Sequence, residues 1–320
     1  MTAWMERAQI PLYLAALAVG AALGWLAPGA APVMEAAVAP TLMLLLYATF
    51  LAVPFRRIGA AFRDVRFMAA VTVLNFGVVP VVALGLSRFV AVDDALLVGV
   101  LMVLLTPCID YVIVFARLGG ADWARLLAAT PVLMLLQILL LPVYLLLFTG
   151  GDVAGQIDWR PFAEAFVLFI VVPMGLSVGT HLARRFAPAR GLISAMDALM
   201  VPLLMATLLV VVASQFGGVI AEAHLLVRAV AVYVAFAAIM PVLGGAVGKL
   251  FRRDAATRRA LAFSGTTRNS LVVLPLALAL PEPLALAAIA VVTQTLVELV
   301  AMVVFVRAIP ALIRDPATSP

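Results

Sequence analysis

The feature that most constrains this chain is a rhythm. Stretches of about twenty apolar residues recur along its whole length, separated by short segments rich in Arg, Pro and Gly. Roughly 20 mostly apolar residues suffice for a helix to cross a bilayer, and a helix satisfies its own backbone hydrogen bonds there. The runs fall at about 9–27, 36–54, 67–90, 95–116, 126–148, 161–183, 193–216, 226–249, 257–280 and 284–309 (spans 1 to 10). Two thirds of the residues are hydrophobic and 12% are charged, where a soluble domain carries about 25% charged residues. The expected fold class is an all-α membrane protein of about ten transmembrane helices, one transporter domain over 1–320. Little chain is left for a soluble catalytic or nucleotide-binding domain. No GxxxxGK[ST] phosphate loop occurs, which argues against an ATP-driven pump.

Basic residues orient the spans. With the N-terminus inside, the inner segments hold 17 of the 21 Lys and Arg, among them Arg56, Arg57, Arg63 and Arg66, then Lys249, Arg252, Arg253, Arg258 and Arg259. The outer loops hold only Arg88, Arg160 and Arg228, and Arg268 lies within a span. Both termini are expected in the cytoplasm, and the compartment is expected to be the inner (plasma) membrane. Gly150–Arg160 reads as an outer linker. Met1 to Arg7 leads into a full-length span, as a retained first helix does. A single cysteine, Cys108, permits no intrachain disulfide. His181 and His224 show no metal-ligand spacing with it. No cofactor, structural metal or nucleic-acid partner is expected; the basic residues sit in short loops. The expected partners are the lipid bilayer, a small solute and a coupling ion, with the oligomeric state left open.

The halves echo each other at an offset of 161 to 162 residues. Pro40 in Ala39–Met43 answers Pro202 in Val201–Met205, Pro80 answers Pro241, and Leu135–Leu139 answers Leu296–Val300. Five spans per half is an odd number, so the halves (about 9–150 and 160–310) are expected as inverted repeats, with sites near the midplane at broken helices. Spans 4 and 9 are the interrupted pair. One contains Thr106-Pro107-Cys108-Ile109-Asp110-Tyr111, the other Ser264-Gly265-Thr266-Thr267-Arg268-Asn269-Ser270. Proline removes a backbone donor, and irregular backbone is tolerated at depth only under protein or water. Two helices broken and crossing at the midplane are expected, with Pro107, Gly265, Thr266, Thr267 and Ser270 as hinge.

Ionisable residues inside spans are costly and mark function. Asp110, Arg268 and Glu298 are the candidates. Arg268 keeps its charge and needs a partner; Asp110 is the expected one, either at a substrate site or as a structural pair locking the crossing. Glu298 has no evident cation and is the expected proton carrier. The competing reading is a protonated Glu298 bonded to Gln137 or Gln294. Cys108 on physical grounds alone is a small buried hydrophobe. Asn75, Asn269, Ser270, Thr266 and Thr267 supply polar lining or bond helix to helix.

These residues resemble the bile acid:sodium symporter superfamily, and within it the arsenite-efflux branch, over nearly the whole chain. That branch carries a Cys in span 4 followed ten residues on by a Leu-Ala-Lys-Gly-Asp run; here Cys108 is followed by Leu118-Gly119-Gly120-Ala121-Asp122. Its Asn-Trp before Pro in span 3 is similar to Asn75-Phe76 before Pro80, and its Leu-x-Glu-x in span 10 to Leu296-Val297-Glu298-Leu299. The resemblance implies functional roles for Cys108 and Glu298. The bile-acid branch has a Glu-x-x-x-Gln-Asn-Ser run in span 9 that helps hold sodium. Ser264 and Arg268 stand at its Glu and Gln positions, while Asn269 and Ser270 remain. A guanidinium there would repel sodium, which argues for proton coupling or a sodium-independent mode; a proton is the expected coupling ion. The expected function is a proton-coupled secondary exporter of arsenite or antimonite, not an enzyme. Cys108, Asp110, Arg268, Asn269 and Asn75 would bind substrate and Glu298 would carry the proton. The alternative is a sodium- or proton-coupled transporter of a small organic anion, of the bile-acid or pantothenate type.

Overall fold

The structure is a computed structural model describing residues 8–52, 64–108, 111–156 and 159–314. Its elements, in chain order, are α1 (Gln9–Leu26), α2 (Ala31–Ala52), α3 (Val65–Val73), α4 (Val79–Ser87), α5 (Asp94–Leu104), α6 (Val112–Leu118), α7 (Trp123–Gln156), α8 (Trp159–Phe166), α9 (Val172–Leu182), α10 (Ala187–Ala221), α11 (Ala223–Leu250), α12 (Ala255–Thr266), α13 (Ser270–Leu278) and α14 (Leu286–Leu312). The described residues form no strand, only one isolated bridge. Among the described residues, seven helical stretches are long and apolar enough to cross a membrane, and α5 and the Pro11–Leu26 part of α1 are shorter apolar helices. The chain is a multi-pass membrane protein.

Two spans carry a π-helical turn, Leu74–Val78 between α3 and α4 and Val167–Val171 between α8 and α9. In the first, Pro80 has no N–H to give the carbonyl of Phe76 four residues back. The Tyr144 hydroxyl of α7 donates to that carbonyl at 2.6 Å instead. The expected linker 150–160 is partly helical: Gly150, at φ 80°, kinks α7, and the helix then runs on to Gln156. Only a residue without Cβ takes this backbone at low cost.

The chain divides into two compact units. The first comprises Met1–Val53, Asp158–His224 and Leu274–Leu280. Here α10 packs along both α1 and α2, and α9 along α2. The Tyr47 hydroxyl meets Thr180 Oγ1 at 2.7 Å, and His181 Nε2 lies 3.0 Å from the Leu51 carbonyl, so this histidine binds backbone. The α1–α10 approach depends on absent side chains: a Cβ at Gly24 would stand 2.5 Å from Phe216 Cβ. Small residues that let backbones meet are a common means of helix association in lipid.

The second unit comprises Pro54–Ile157, Leu225–Val273 and Pro281–Pro320. In it α5 lies against α14, with a Gly99 Cβ position only 2.6 Å from the Ala287 carbonyl. At one end a polar cluster ties three inter-helix segments together. Arg253 grips Asp64 through two bonds of 3.0 and 2.6 Å, and Arg125 reaches Asp64 at 3.2 Å, Asp122 at 2.9 Å and Thr257 Oγ1 at 2.6 Å. Partial burial works against the charge of Asp254, but the hydroxyl and N–H of Thr257, with Arg125 and Arg253 nearby, hold its carboxyl below the usual carboxylate range. None of these pairings was foreseen from the sequence.

Gly24→Val is expected to cost about 1–3 kcal/mol through overpacking and to lower the thermal midpoint of the detergent-solubilised protein. Gly29→Val, where a Cβ meets nothing within 4 Å, is the matched control and is expected to leave the midpoint nearly unchanged.

Candidate functional site

The site is built inside the second unit from two interrupted helices. Asp93 starts α5 by accepting the Leu96 N–H at 2.8 Å, and Asp254 starts α12 by accepting the Thr257 N–H at 2.7 Å. Capping carboxylates fit helix N-termini for this reason. Just past each helix a threonine turns its hydroxyl back on the preceding turn: Thr106 onto Met102 O at 2.7 Å, Thr267 onto Phe263 O at 2.8 Å. Such bonds compete with helix continuation. Beyond α5 the described chain is non-helical through Cys108; beyond α12 the backbone turns extended at Thr267 and stays non-helical through Asn269.

The two breaks meet. Pro107 and Arg268 form an antiparallel bridge, in which the Cys108 N–H donates to Thr267 O at 3.1 Å and the Asn269 N–H to Thr106 O at 2.8 Å. Three kinds of interaction recur after a shift of 161 positions: the caps, the threonine back-bonds and the bridge bonds. Each broken helix thus satisfies backbone groups that the other lost on unwinding.

Glu298 of α14 fastens the second break. Its Oε2 accepts the backbone N–H of Arg268 at 2.7 Å and the Gln294 amide, and its Oε1 accepts the Tyr111 hydroxyl at 2.5 Å. Of its two anticipated amide partners, Gln294 is thus in contact. The Arg268 side chain, fully buried, runs the other way. Its guanidinium donates to Asn75 Oδ1 at 2.9 Å, to Ser264 O at 2.5 Å and to Leu104 O at 3.3 Å, and lies 5.6 Å from the Phe236 ring centroid. Asn75, in the π-turn, is held by its own bonds to Val71 O and Ser264 Oγ. Glu298, Cys108 and Tyr111 are the titratable neighbours whose charge bears on Arg268.

Cys108, Arg268, Asn269, Asn75 and Glu298 all belong to this centre, whereas Asp110, the anticipated partner of Arg268, lies outside the described residues. Asn269 Oδ1 caps the Val272 N–H at 3.3 Å, and Ser270 Oγ accepts Thr295 at 2.7 Å. The hinge is narrower than expected. Pro107 and Thr267 sit in non-helical backbone, but Gly265 and Thr266 remain in the last turn of α12 and Ser270 already opens α13. The Thr266 hydroxyl donates to Ala262 O at 2.7 Å within the helix, and Gly265 serves close packing, since a Cβ would stand 3.0 Å from Leu74 and 3.2 Å from Met240. Sequence reasoning assigned no role to Tyr111, Ser264 or Phe236. A tyrosine just past a predicted break, where its hydroxyl needs a partner, was the available signal for the first. Beside Glu298 lies a cavity of about 10 Å³, lined in part by Tyr233, Phe236, Thr266 and Gln294. It admits about one water. Among the described residues no cluster of His, Cys, Asp and Glu is arranged to hold a metal.

Residues 39–223, more than half of the chain, match the family described as Sodium Bile acid symporter family. The match takes in the first break and ends before Arg268 and Glu298. No curated protein matches the chain.

Asn75→Leu is expected to leave the buried guanidinium short of an acceptor, a loss of about 2–3 kcal/mol, seen as a lower melting midpoint in detergent. Gln137→Leu is the contrast. Gln137 is buried with Oε1 unpartnered among the described residues, so its removal is expected to be neutral or stabilising.

Proposed function

Because this chain belongs to the Sodium Bile acid symporter family, a family of transporters, we propose that it is a secondary active transporter whose coupling centre is the crossing of its two broken helices. The observation that carries this is the convergence of Cys108, Arg268 and Glu298, three chemically active groups, on one buried backbone bridge. The recurrence of caps, back-bonds and bridge bonds at 161 positions supports ten spans in two inverted five-helix repeats, the architecture that places sites at such breaks. The arginine distribution supports cytoplasmic termini in an inner membrane.

Glu298 is the proton carrier in this account, and the guanidinium of Arg268 is a permanent positive charge that keeps sodium away from the centre. The solute is arsenite or antimonite. As(III) is thiophilic, and Cys108 puts a buried thiol at the crossing, near the Arg268 guanidinium. One thiol gives a transient ligand, which suits release. The cavity at Glu298 admits no solute larger than a water, so its lining has to open during transport. A second reading, a small organic anion drawn to Arg268, is favoured by the family match itself.

The test is As(III) accumulation in arsenite-sensitive cells expressing the chain, beside Cys108→Ala. Export of the metalloid predicts several-fold lower arsenic in cells carrying the unmodified chain and loss of that difference in the variant. Equal arsenic in all cells, with the protein present in the membrane, would sink the metalloid and leave the organic anion.

A further inference from the structure

We propose that the Tyr111 hydroxyl is a two-position switch that lets Glu298 accept and lose a proton without loosening the crossing. The inference rests on the proton role given to Glu298 above, and it deepens that role.

The geometry is specific. Tyr111 has one hydroxyl hydrogen and, among the described residues, two acceptors in reach of it, Glu298 Oε1 at 2.5 Å and the Arg268 carbonyl at 3.1 Å. The two oxygens of Glu298 differ. Oε2 already receives the Arg268 N–H and the Gln294 amide, while Oε1 receives Tyr111. An incoming proton therefore goes to Oε1. There the new carboxyl O–H faces an oxygen whose own hydrogen points at it, and two hydrogens cannot share that line. The Tyr111 O–H rotates to the Arg268 carbonyl, freeing a lone pair that accepts the Glu298 O–H. One proton has been added to the carboxylate, Tyr111 keeps its own, and no bond to Oε2 is broken. Deprotonation runs the steps backwards.

A buried carboxyl without such a partner would lose a hydrogen bond in one of its two states, and an unmet buried polar group costs about 1–3 kcal/mol. Among the described residues, the charged and titratable groups around Glu298 are Arg268 and Cys108 at the crossing, Tyr111 itself, and Tyr233 of α11, whose hydroxyl is committed to Ala290 O at 2.9 Å. Tyr111 bonds both Glu298 and the Arg268 backbone that Glu298 fastens. The ring is held edge-on to Phe115 at 6.4 Å between centroids, so the hydroxyl can reorient by torsion while the ring stays.

The experiment is infrared difference spectroscopy of the purified full-length protein across a pH titration, reading the carboxylic acid carbonyl band that Glu298→Gln abolishes. In Tyr111→Phe, which keeps the ring, the ionised carboxylate loses a donor, and the midpoint of the band is expected to move up by about one pH unit, a tenfold change in proton affinity. A fluorinated tyrosine at position 111 keeps the hydroxyl as a stronger donor and is expected to move the midpoint the opposite way, which also covers a Tyr111→Phe protein that fails to fold. Midpoints unchanged in both, with the Glu298 band present, would overturn the switch and leave the proton role of Glu298 standing. Absence of any Glu298-dependent band would overturn the proton role, and the switch with it.

Discussion

A helix interrupted inside a membrane exposes backbone N–H and C=O groups where no bulk water can meet them, and everything distinctive in this protein follows from how that debt is settled. The two breaks settle it against each other, through Cys108 N–H to Thr267 O and Asn269 N–H to Thr106 O. The N–H of Arg268, which points away from the bridge, is met by Glu298. Local sequence prepares each break: an aspartate starts the helix, a threonine turned on its own preceding turn ends it, and the extended backbone follows at once.

The same arrangement sorts the charges. Arg268 sends its backbone N–H to Glu298 and its side chain to Asn75 and two carbonyls, which spreads its charge over several oxygens. Glu298 is held by three donors, two of them on one oxygen. Breaking a buried arrangement of this kind costs more than it contributes in isolation, which ties the integrity of the crossing to the groups proposed for coupling.

Much of the fold was legible because a bilayer forces hydrophobic length to equal helix length. The run 226–249 corresponds to a helix over Ala223–Leu250, and 9–27 to one over Gln9–Leu26. Proline and threonine marked where spans 4 and 9 fail as helices. The exact hinge was not legible, because Gly265 looked like a point of unwinding and is instead a point of close approach to Leu74 and Met240. Nor were the side-chain partners. Tyr111 and Glu298 are 187 positions apart, and Asn75 and Arg268 are 193; pairings at that separation depend on how the helices pack and leave no local pattern. The cluster of Asp64, Arg125 and Arg253 was hidden for another reason, since its members looked like ordinary loop charges.

The most direct test of the account is proton movement in proteoliposomes that hold the purified protein and an internal pH dye, with a solute gradient imposed in sodium-free buffer. The account predicts solute-driven proton flux through the unmodified protein and none through Glu298→Gln. Undiminished proton flux in that variant, or solute transport that appears only when sodium is added, would contradict it.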